Sequence, residues 1–375
     1  MPAVLCCAAS FATSLVQAAQ IVVGQVVPLS GPEASQGRAY AAGMQLFFNE
    51  TNKSGGVNGN TFELVSKDDG GKPEETVAAT RQLLSENQPM VLAGYFGNRN
   101  ISELVSSGLL GKEKLTLVGY RVAEIGAEPP QLYNVRANFR TELSKITEHL
   151  AAIGVTRLGL LYEEGPGAAA QIAITEEIAK KGNATIVSKA SYEAGTTRVA
   201  DAIDTFVKAK PQAIILVCSG AAGARFIERY RADGGSAQIF VHSGADMERV
   251  TKRIAENRLA FVSSVMQGVA IAQVVPSPYH SSKLAKELNE SVAKDGKLGV
   301  PVSYVMMEGY IAAKVIVEAV RRQGKRPTRE GMAAALESID TLNLGGYTVG
   351  FKPGVRSGSK FVELTIISDT GKIRQ

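Results

Sequence analysis

The sequence predicts an α/β protein built as two doubly wound lobes, each a parallel sheet covered by helices. Three observations carry this expectation. Apolar strand-like runs alternate with helical periodicity almost throughout, the connections are short, and the alternation restarts after Arg136. At 375 residues the chain also exceeds what one hydrophobic core comfortably organises.

The first series opens with the apolar strand "IVVGQVVPL" and the helix "SQGRAYAAGMQLFFNETNKSG", which ends at Gly55–Gly56. "NTFELVSKDD" alternates as a strand. "KPEETVAATRQLLSEN" reads as a helix with Pro73 in its first turn and acids that complement the N-terminal dipole. The strand "PMVLAGY", the helix "ISELVSSGLLGKE" and the strand "KLTLVGY" complete this half. The second series runs "RTELSKITEHLAAIG" (helix), "RLGLLYE" (strand), "GAAAQIAITEEIAKKG" (helix) and "TIVSKASY" (strand). It continues with "RVADAIDTFVKAK" (helix), "PQAIILVCS" (strand), "AGARFIERYRADG" (helix) and "AQIFVHS" (strand). The tail differs. After the strand "GVAIAQVVPSPYH" come two helices, "PVSYVMMEGYIAAKVIVEAVRRQG" and "REGMAAALESI". "GGYTVGF" and "SKFVELTIISDTGKI" then read as two antiparallel strands.

The N-terminal "MPAVLCCAASFATSLVQAAQ" is apolar and rich in small residues, and Val16 and Ala18 satisfy the small-x-small rule for signal cleavage. Residues 1–19 are therefore expected to be an export signal, and the mature protein to be periplasmic. No Lys or Arg precedes the apolar run, so a signal truncated at its N-terminus is expected. Once Cys6 and Cys7 leave with it, Cys218 stands alone and no intramolecular disulfide can form. The histidines (His149, His242, His280) are widely separated, and neither C-x-x-C nor H-E-x-x-H occurs, which argues against zinc. No cofactor or metal is expected. The net charge of +5 is spread along the chain, apart from Arg321, Arg322, Lys325, Arg326 and Arg329 near one helix end. That cluster reads as a solvated terminus, and no nucleic-acid partner is expected.

Asp68 and Asp69 end the second strand, where a dinucleotide-binding enzyme would keep its ribose-binding acid. The loop after the first strand is "PLSGPEASQG", which lacks G-x-G-x-x-G and contains prolines; no P-loop is present either. The pair is read as closing the strand and capping the helix that Pro73 opens. No nucleophile elbow or recognisable triad appears, so the protein is not read as an enzyme.

The stretch "PLSGPEASQGRAYAAGMQLFFNETNKSGGVNGNTFELVSKDDGGKPEE" resembles the opening of periplasmic ligand-binding proteins of the leucine/isoleucine/valine-binding type. The later blocks "ASYEAGTTRVADAI", "VVPSP", "EGYIAAKVIVEA", "LGGYTVGF" and "SKFVELTIISDTGKI" are similar to the branch of that family with hydrophobic or aromatic ligands. The resemblance implies a type I binding protein, with two lobes joined by three crossover strands that close on a ligand. It places lobe 1 at 20–138 and 276–341, and lobe 2 at 139–275 and 342–375. It further implies a monomer that serves as the solute-binding subunit of an ABC importer, with an inner-membrane permease and its ATPase as partners. The alternative is a ligand-sensing receptor or regulator domain of the same fold.

Ligands of such folds bind outside the carboxyl ends of parallel strands, so the loops there hold the candidate site. In "GYFGNRN", exposed amides at a helix N-terminus suit a carboxylate, and Gly97 allows close backbone approach. By resemblance, Asn98 occupies the position of a carboxylate-binding Ser or Thr. Val122 stands where relatives have a carboxylate-holding threonine, and Gln36 and Ser219 where they place aromatic residues. His242 takes the place of the acid that holds an α-ammonium, unless a shifted gap gives that work to Asp246. A histidine does not replace a fixed negative charge. The expectation therefore tilts toward a carboxylate without a free α-amino group. Tyr95, Tyr120 and Tyr304 read either as aromatic walls or as core edges. Cys218 reads as a small buried hydrophobe, and Glu308 as satisfying a helix end or hinge backbone.

Overall fold

A computed structural model describes residues 19–126, 129–247, 265–296, 298–370 and 372–374. The expected signal falls almost wholly on residues 1–18, which lie outside the described residues. Lobe 1 begins with β1 (Gln20–Val27), α1 (Ala34–Lys53), β2 (Thr61–Asp68), α2 (Pro73–Asn87) and β3 (Val91–Ala93). It continues with α3 (Asn98–Ser106), α4 (Leu109–Lys112), β4 (Leu117–Val118) and β5 (Leu132–Tyr133). Lobe 2 holds α5 (Phe139–Ala152), β6 (Arg157–Glu163), α6 (Ala168–Lys181), β7 (Thr185–Tyr192), α7 (Ala200–Ala209) and β8 (Ala213–Val217). It also holds α8 (Gly220–Ala232), β9 (Gln238–Val241) and β10 (Ala270–Gln273). The chain then adds α9 (Lys283–Asp295), α10 (Tyr304–Gln323), α11 (Arg329–Glu337), β11 (Leu342–Asn343), β12 (Thr348–Val349), β13 (Glu363–Ile367) and β14 (Ile373–Arg374).

The first sheet has the order β2-β1-β3-β4-β5, all parallel. The second repeats it as β7-β6-β8-β9-β10, then adds β13 and β14 antiparallel at the edge. Each sheet is apolar on both faces, so each needs two layers of cover. In lobe 1 one face packs under α1, α9, α10 and α11, and the other under α2, α3 and α4. In lobe 2 the covers are α7 with α8 on one face and α5 with α6 on the other. Strand order reverses at β1/β3 and at β6/β8. Loops diverge there and leave a crevice at the carboxyl ends.

Close helix packing fixes lobe 1. A Cβ on Gly43 of α1 would lie 2.1 Å from the Met306 carbonyl oxygen, and one on Gly309 of α10 would lie 2.2 Å from that of Tyr40. Only glycine lets these two backbones meet.

The structure departs from the sequence reading in four places. The helix expected over "ISELVSSGLLGKE" is broken into α3 and α4 at Gly108, which takes φ +68°. Helix α9 had not been expected, although Ser282 caps it by accepting the Ala285 N–H at 3.1 Å. The two tail strands do not pair with each other: β12 pairs with β11, and β13 with β10 and β14. Leu344, Tyr347, Val349 and Phe351 pack into the lobe 1 core, so Leu342 does not begin lobe 2. The chain crosses back only between Phe351 and β13.

Three segments therefore link the lobes, and they are tied together. The Asn134 amide donates to the Arg356 carbonyl at 2.7 Å, and the Gly358 amide returns to Asn134 at 2.7 Å. The Tyr347 hydroxyl lies 2.7 Å from the Val135 carbonyl oxygen and 3.1 Å from that of Val274.

Beside them sits a buried ionic cluster. Arg136 lies 3.1 Å from Glu142 and 3.6 Å from Glu308, and Glu308 lies 3.2 Å from Arg121. Ser243 of lobe 2 donates its amide to Glu142 at 2.9 Å and its hydroxyl at 2.8 Å. It also accepts from Arg136, and its carbonyl accepts from Arg121 at 3.0 Å. Two cations and two anions thus neutralise each other across the hinge. Glu308, read from sequence as a helix-end or hinge residue, is the acid shared by both arginines.

Candidate functional site

A cavity of about 510 Å³ lies between the lobes at the two switch points. Lobe 1 contributes Pro28 after β1, Glu33 and Gln36 at the start of α1, Gly70–Glu74 before α2, Phe96–Asn100 after β3, and Arg121–Ala123 after β4. Lobe 2 contributes Glu163 at the end of β6, Ala194–Thr197 after β7, Val217–Ser219 at the end of β8, Ala221, His242 and Gly244. The volume suits a small organic ligand. The lobes also touch at the cleft mouth. A Cβ on Gly165 would meet the Arg99 side chain at 3.5 Å, and one on Gly167 would meet the Glu124 carbonyl oxygen at 2.1 Å.

The lobe 1 wall expected from the sequence to suit a carboxylate is built by the start of α3. Gly97 precedes the helix at φ +94°, where a Cβ would strike the Asn100 side chain at 2.7 Å. The first-turn amides of a helix have no intrahelical carbonyl to meet and attract negative charge. Asn98 Oδ1 accepts the Ala123 amide at 2.9 Å, which ties the two lobe 1 loops together. Among the described residues its Nδ2 donates to no protein group. Asn100 is buried and donates to Thr76 at 2.7 Å and to Asp69 at 3.3 Å, anchoring α3 to α2.

Asp68 and Asp69 are structural. Asp68 accepts the amides of Leu29 and Gly70, each at 2.8 Å, and that of Ser30 at 3.2 Å. Desolvation raises its pKa, but hydrogen bonds from the Ser30 hydroxyl and these amides outweigh it and bring the value down to about 2. Asp69 accepts from Thr76 at 2.7 Å in the first turn of α2, although the N-cap position itself is Lys72. Asp69 thus braces the helix without capping it.

Of the residues singled out in the sequence, Gln36, Gly97, Asn98, Val122, Ser219 and His242 line the cavity. Tyr95, Tyr120 and Asp246 do not. Tyr95 is buried in the lobe 1 core with its hydroxyl 3.1 Å from Thr80 Oγ1, and Tyr120 is buried in the same cluster. Their successors, Phe96 and Arg121, face the cleft instead. These two form a parallel bridge past the strand ends, with the Arg121 guanidinium 5.3 Å from the Phe96 ring centre. Alternation along an extended strand shows that each pair of neighbours faces opposite sides, but not which one faces the cleft. Asp246 lines a small void behind Arg121 with Glu308 and Tyr304, and its backbone packs against Gly220. Tyr304 is thus part of the hinge packing.

Ser219 caps α8 by accepting the Ala222 amide at 3.3 Å. Cys218 is buried as expected, and burial pushes its thiol pKa up. His242 accepts the Gly244 amide on Nδ1 at 3.2 Å, so Nε2 carries the proton and faces the Cys218 carbonyl at 3.1 Å. Both ring nitrogens are spent on backbone, and His242 serves as a neutral wall. Burial is the main cause that lowers its pKa to about 4. The unfolded chain then binds a proton near pH 6.5 that the native state refuses. Stability is therefore full above about pH 6.5 and falls as the pH drops toward 4. We expect His242→Gln to flatten the pH dependence of the urea midpoint between about pH 7 and about pH 5 by up to one proton. An unchanged slope would place the histidine's titration elsewhere.

Two parallel-sheet lobes that face each other across a cleft, held by three crossing segments, define a type I two-lobed ligand-binding protein. The chain belongs to the periplasmic binding protein family, whose model matches residues 20–358. It is 34% identical to a substrate-binding periplasmic protein from Ralstonia solanacearum, with a TM-score of 0.87 over 95% of this chain and 99% of that one. It is 22% identical to Leu/Ile/Val-binding protein homolog 7 of Brucella abortus over 89% of this chain and 84% of that protein. A shorter match, 32% identical, to an amino acid binding protein of Pseudomonas aeruginosa spans 21% of each chain. More distant structures share the fold. A branched chain amino acid ABC transporter protein from Thermus thermophilus with bound valine is 15% identical with a TM-score of 0.78, over 96% of this chain and 95% of that one. An R. palustris solute binding protein in complex with benzoate is 15% identical with a TM-score of 0.77, over 94% of each chain.

Proposed function

We propose that this protein is the periplasmic solute-binding subunit of an ABC importer and captures a small carboxylate between its lobes. The observation that carries the reading is the interlobe cavity, with the free amides of α3 and Asn98 on one wall and Phe96, Val122 and Val217 as apolar surface. The ligand class is a branched-chain or aromatic amino acid, or a related aromatic or keto acid. The valine- and benzoate-bound relatives bracket that range. Binding requires no covalent step: a ligand that touches both lobes stabilises the closed state, which the permease then recognises.

The test is a thermal-shift panel on refolded, ligand-stripped protein, with amino acids, aromatic acids, keto acids and neutral amides. A native-state ligand at about 100 times its Kd adds about 2.7 kcal/mol, which moves Tm by a few degrees. At least one carboxylate is expected to do so. A response to neutral amides alone would remove the carboxylate assignment.

A further inference from the structure

The arginines of the buried hinge cluster are each divided between the lobes. Arg136, on the first linking segment, spends Nη2 on lobe 2: it donates to Glu142 Oε1 at 3.1 Å and to the Ser243 hydroxyl. Its other amino group, Nη1, stands 3.6 Å from Oε1 of Glu308 on the lobe 1 helix α10. That separation is too long for a hydrogen bond. Among the described residues neither of these two atoms has a hydrogen-bond partner, although Arg136 and Glu308 are both buried. Arg121 of lobe 1 donates from Nη1 to Glu308 Oε2 at 3.2 Å and from Nη2 to the Ser243 carbonyl at 3.0 Å.

A buried charge stripped of its partner is costly, so the lobes cannot part by simply breaking these contacts. Glu308 offers a second arrangement. A small approach turns the 3.6 Å separation into a hydrogen bond, and Arg136 is then held by lobe 1 when Glu142 and Ser243 withdraw. Space for the exchange exists: a void of about 20 Å³, room for about one water-sized sphere, lies against Arg121, Ser243 and Glu308. The cluster is also continuous with the cavity wall. Ser243 lies between His242 and Gly244, which line the cavity, and Arg121 lines it as well.

We propose that this cluster is a two-position latch that sets the balance between closed and open lobes. With Arg136 on Glu142 and Ser243 the lobes are closed; with Arg136 on Glu308 they are open, and no charge is stranded in either state. The latch rests on the lobe-closure part of the proposed function and is independent of the ligand class.

Pulsed dipolar spectroscopy on ligand-stripped protein tests it, with spin labels at Arg81→Cys on α2 and Lys180→Cys on α6, both exposed and on different lobes. Cys218 is buried and stays unlabelled. The wild type is expected to show two interlobe distances. Glu142→Gln should raise the longer-distance fraction about fivefold or more, and Glu308→Gln should lower it by a similar factor. A merely structural role would lower the urea midpoint of both variants and give no shifts of opposite sign. Ser243→Ala, which alters no charge, should favour the longer distance and carries the test if either acid variant fails to fold. A single wild-type distance, the same direction of shift from both acid variants, or an unmoved Ser243→Ala overturns the latch. If the distances respond as expected while no carboxylate raises Tm, the latch stands and the ligand assignment falls.

Discussion

Replacing Arg136 by methionine is expected to cost about 3–5 kcal/mol of unfolding free energy, the range for breaking a buried ion pair from one side. Arg136 is 1% exposed and sits between Glu142 and Glu308, each 2% exposed. Methionine fills much of the volume but returns no charge. Glu142 would then keep only Ser243, and Glu308 only Arg121. The measurement is the urea midpoint with its slope, which separates lost stability from a changed denatured state. The cause can be isolated. Arg136→Met combined with Glu142→Gln should recover part of the loss, since one stranded charge is removed with its partner. A single variant within about 1 kcal/mol of wild type would mean that water reaches the cluster and the hinge is not dry.

Gly167→Ala is expected to weaken ligand binding without comparable loss of fold. The added Cβ would lie 2.1 Å from the Glu124 carbonyl oxygen on the opposite lobe, so the closed lobes must part. Overpacking of this kind costs about 1–3 kcal/mol, or roughly a 5- to 150-fold rise in Kd if all of it falls on the closed state. Gly167 also sits at φ +85°, which strains alanine in the open state as well. Gly234→Ala is the matching control: its φ is +83° and a Cβ there meets nothing within 4 Å. Calorimetry on the two variants separates the effects. Similar affinities for both would show that closure does not bring Gly167 against Glu124. A larger radius of gyration in ligand-saturated Gly167→Ala would support the steric account.

The cavity and the hinge share residues. Arg121 lines the cleft and also belongs to the ionic cluster that joins the lobes. The cavity wall at Phe96 and Arg121 therefore adjoins the ionic cluster that ties the lobes together. The basic cluster near the end of α10, by contrast, is tied to surface neighbours. Arg321 and Arg322 pair with Glu318, and Arg329 donates to the Pro89 carbonyl at 2.8 Å. Its role is local.

Much of this protein was legible before any coordinates. The alternation of apolar runs and helical periods determined two parallel-sheet lobes, because such sheets bury both faces and need helices between strands. The Gly97–Asn98 turn was legible for the same reason: a glycine before a helix, after a buried strand, marks an exposed set of amides. Helix α9 was legible too, from the Ser282 cap and the Gly296 that ends it; the pairing of β13 was not, since it depends on a partner about 90 residues away. The cleft residues divide along the same line. Gly97 and Asn98 follow from local chain geometry. Phe96 rather than Tyr95, and Arg121 rather than Tyr120, were decided by which face of a short strand end points outward, and that parity is set by sheet register. Local patterns determine which segments form. The cavity wall is assembled from groups distant in sequence, and only the folded chain brings them together around one space.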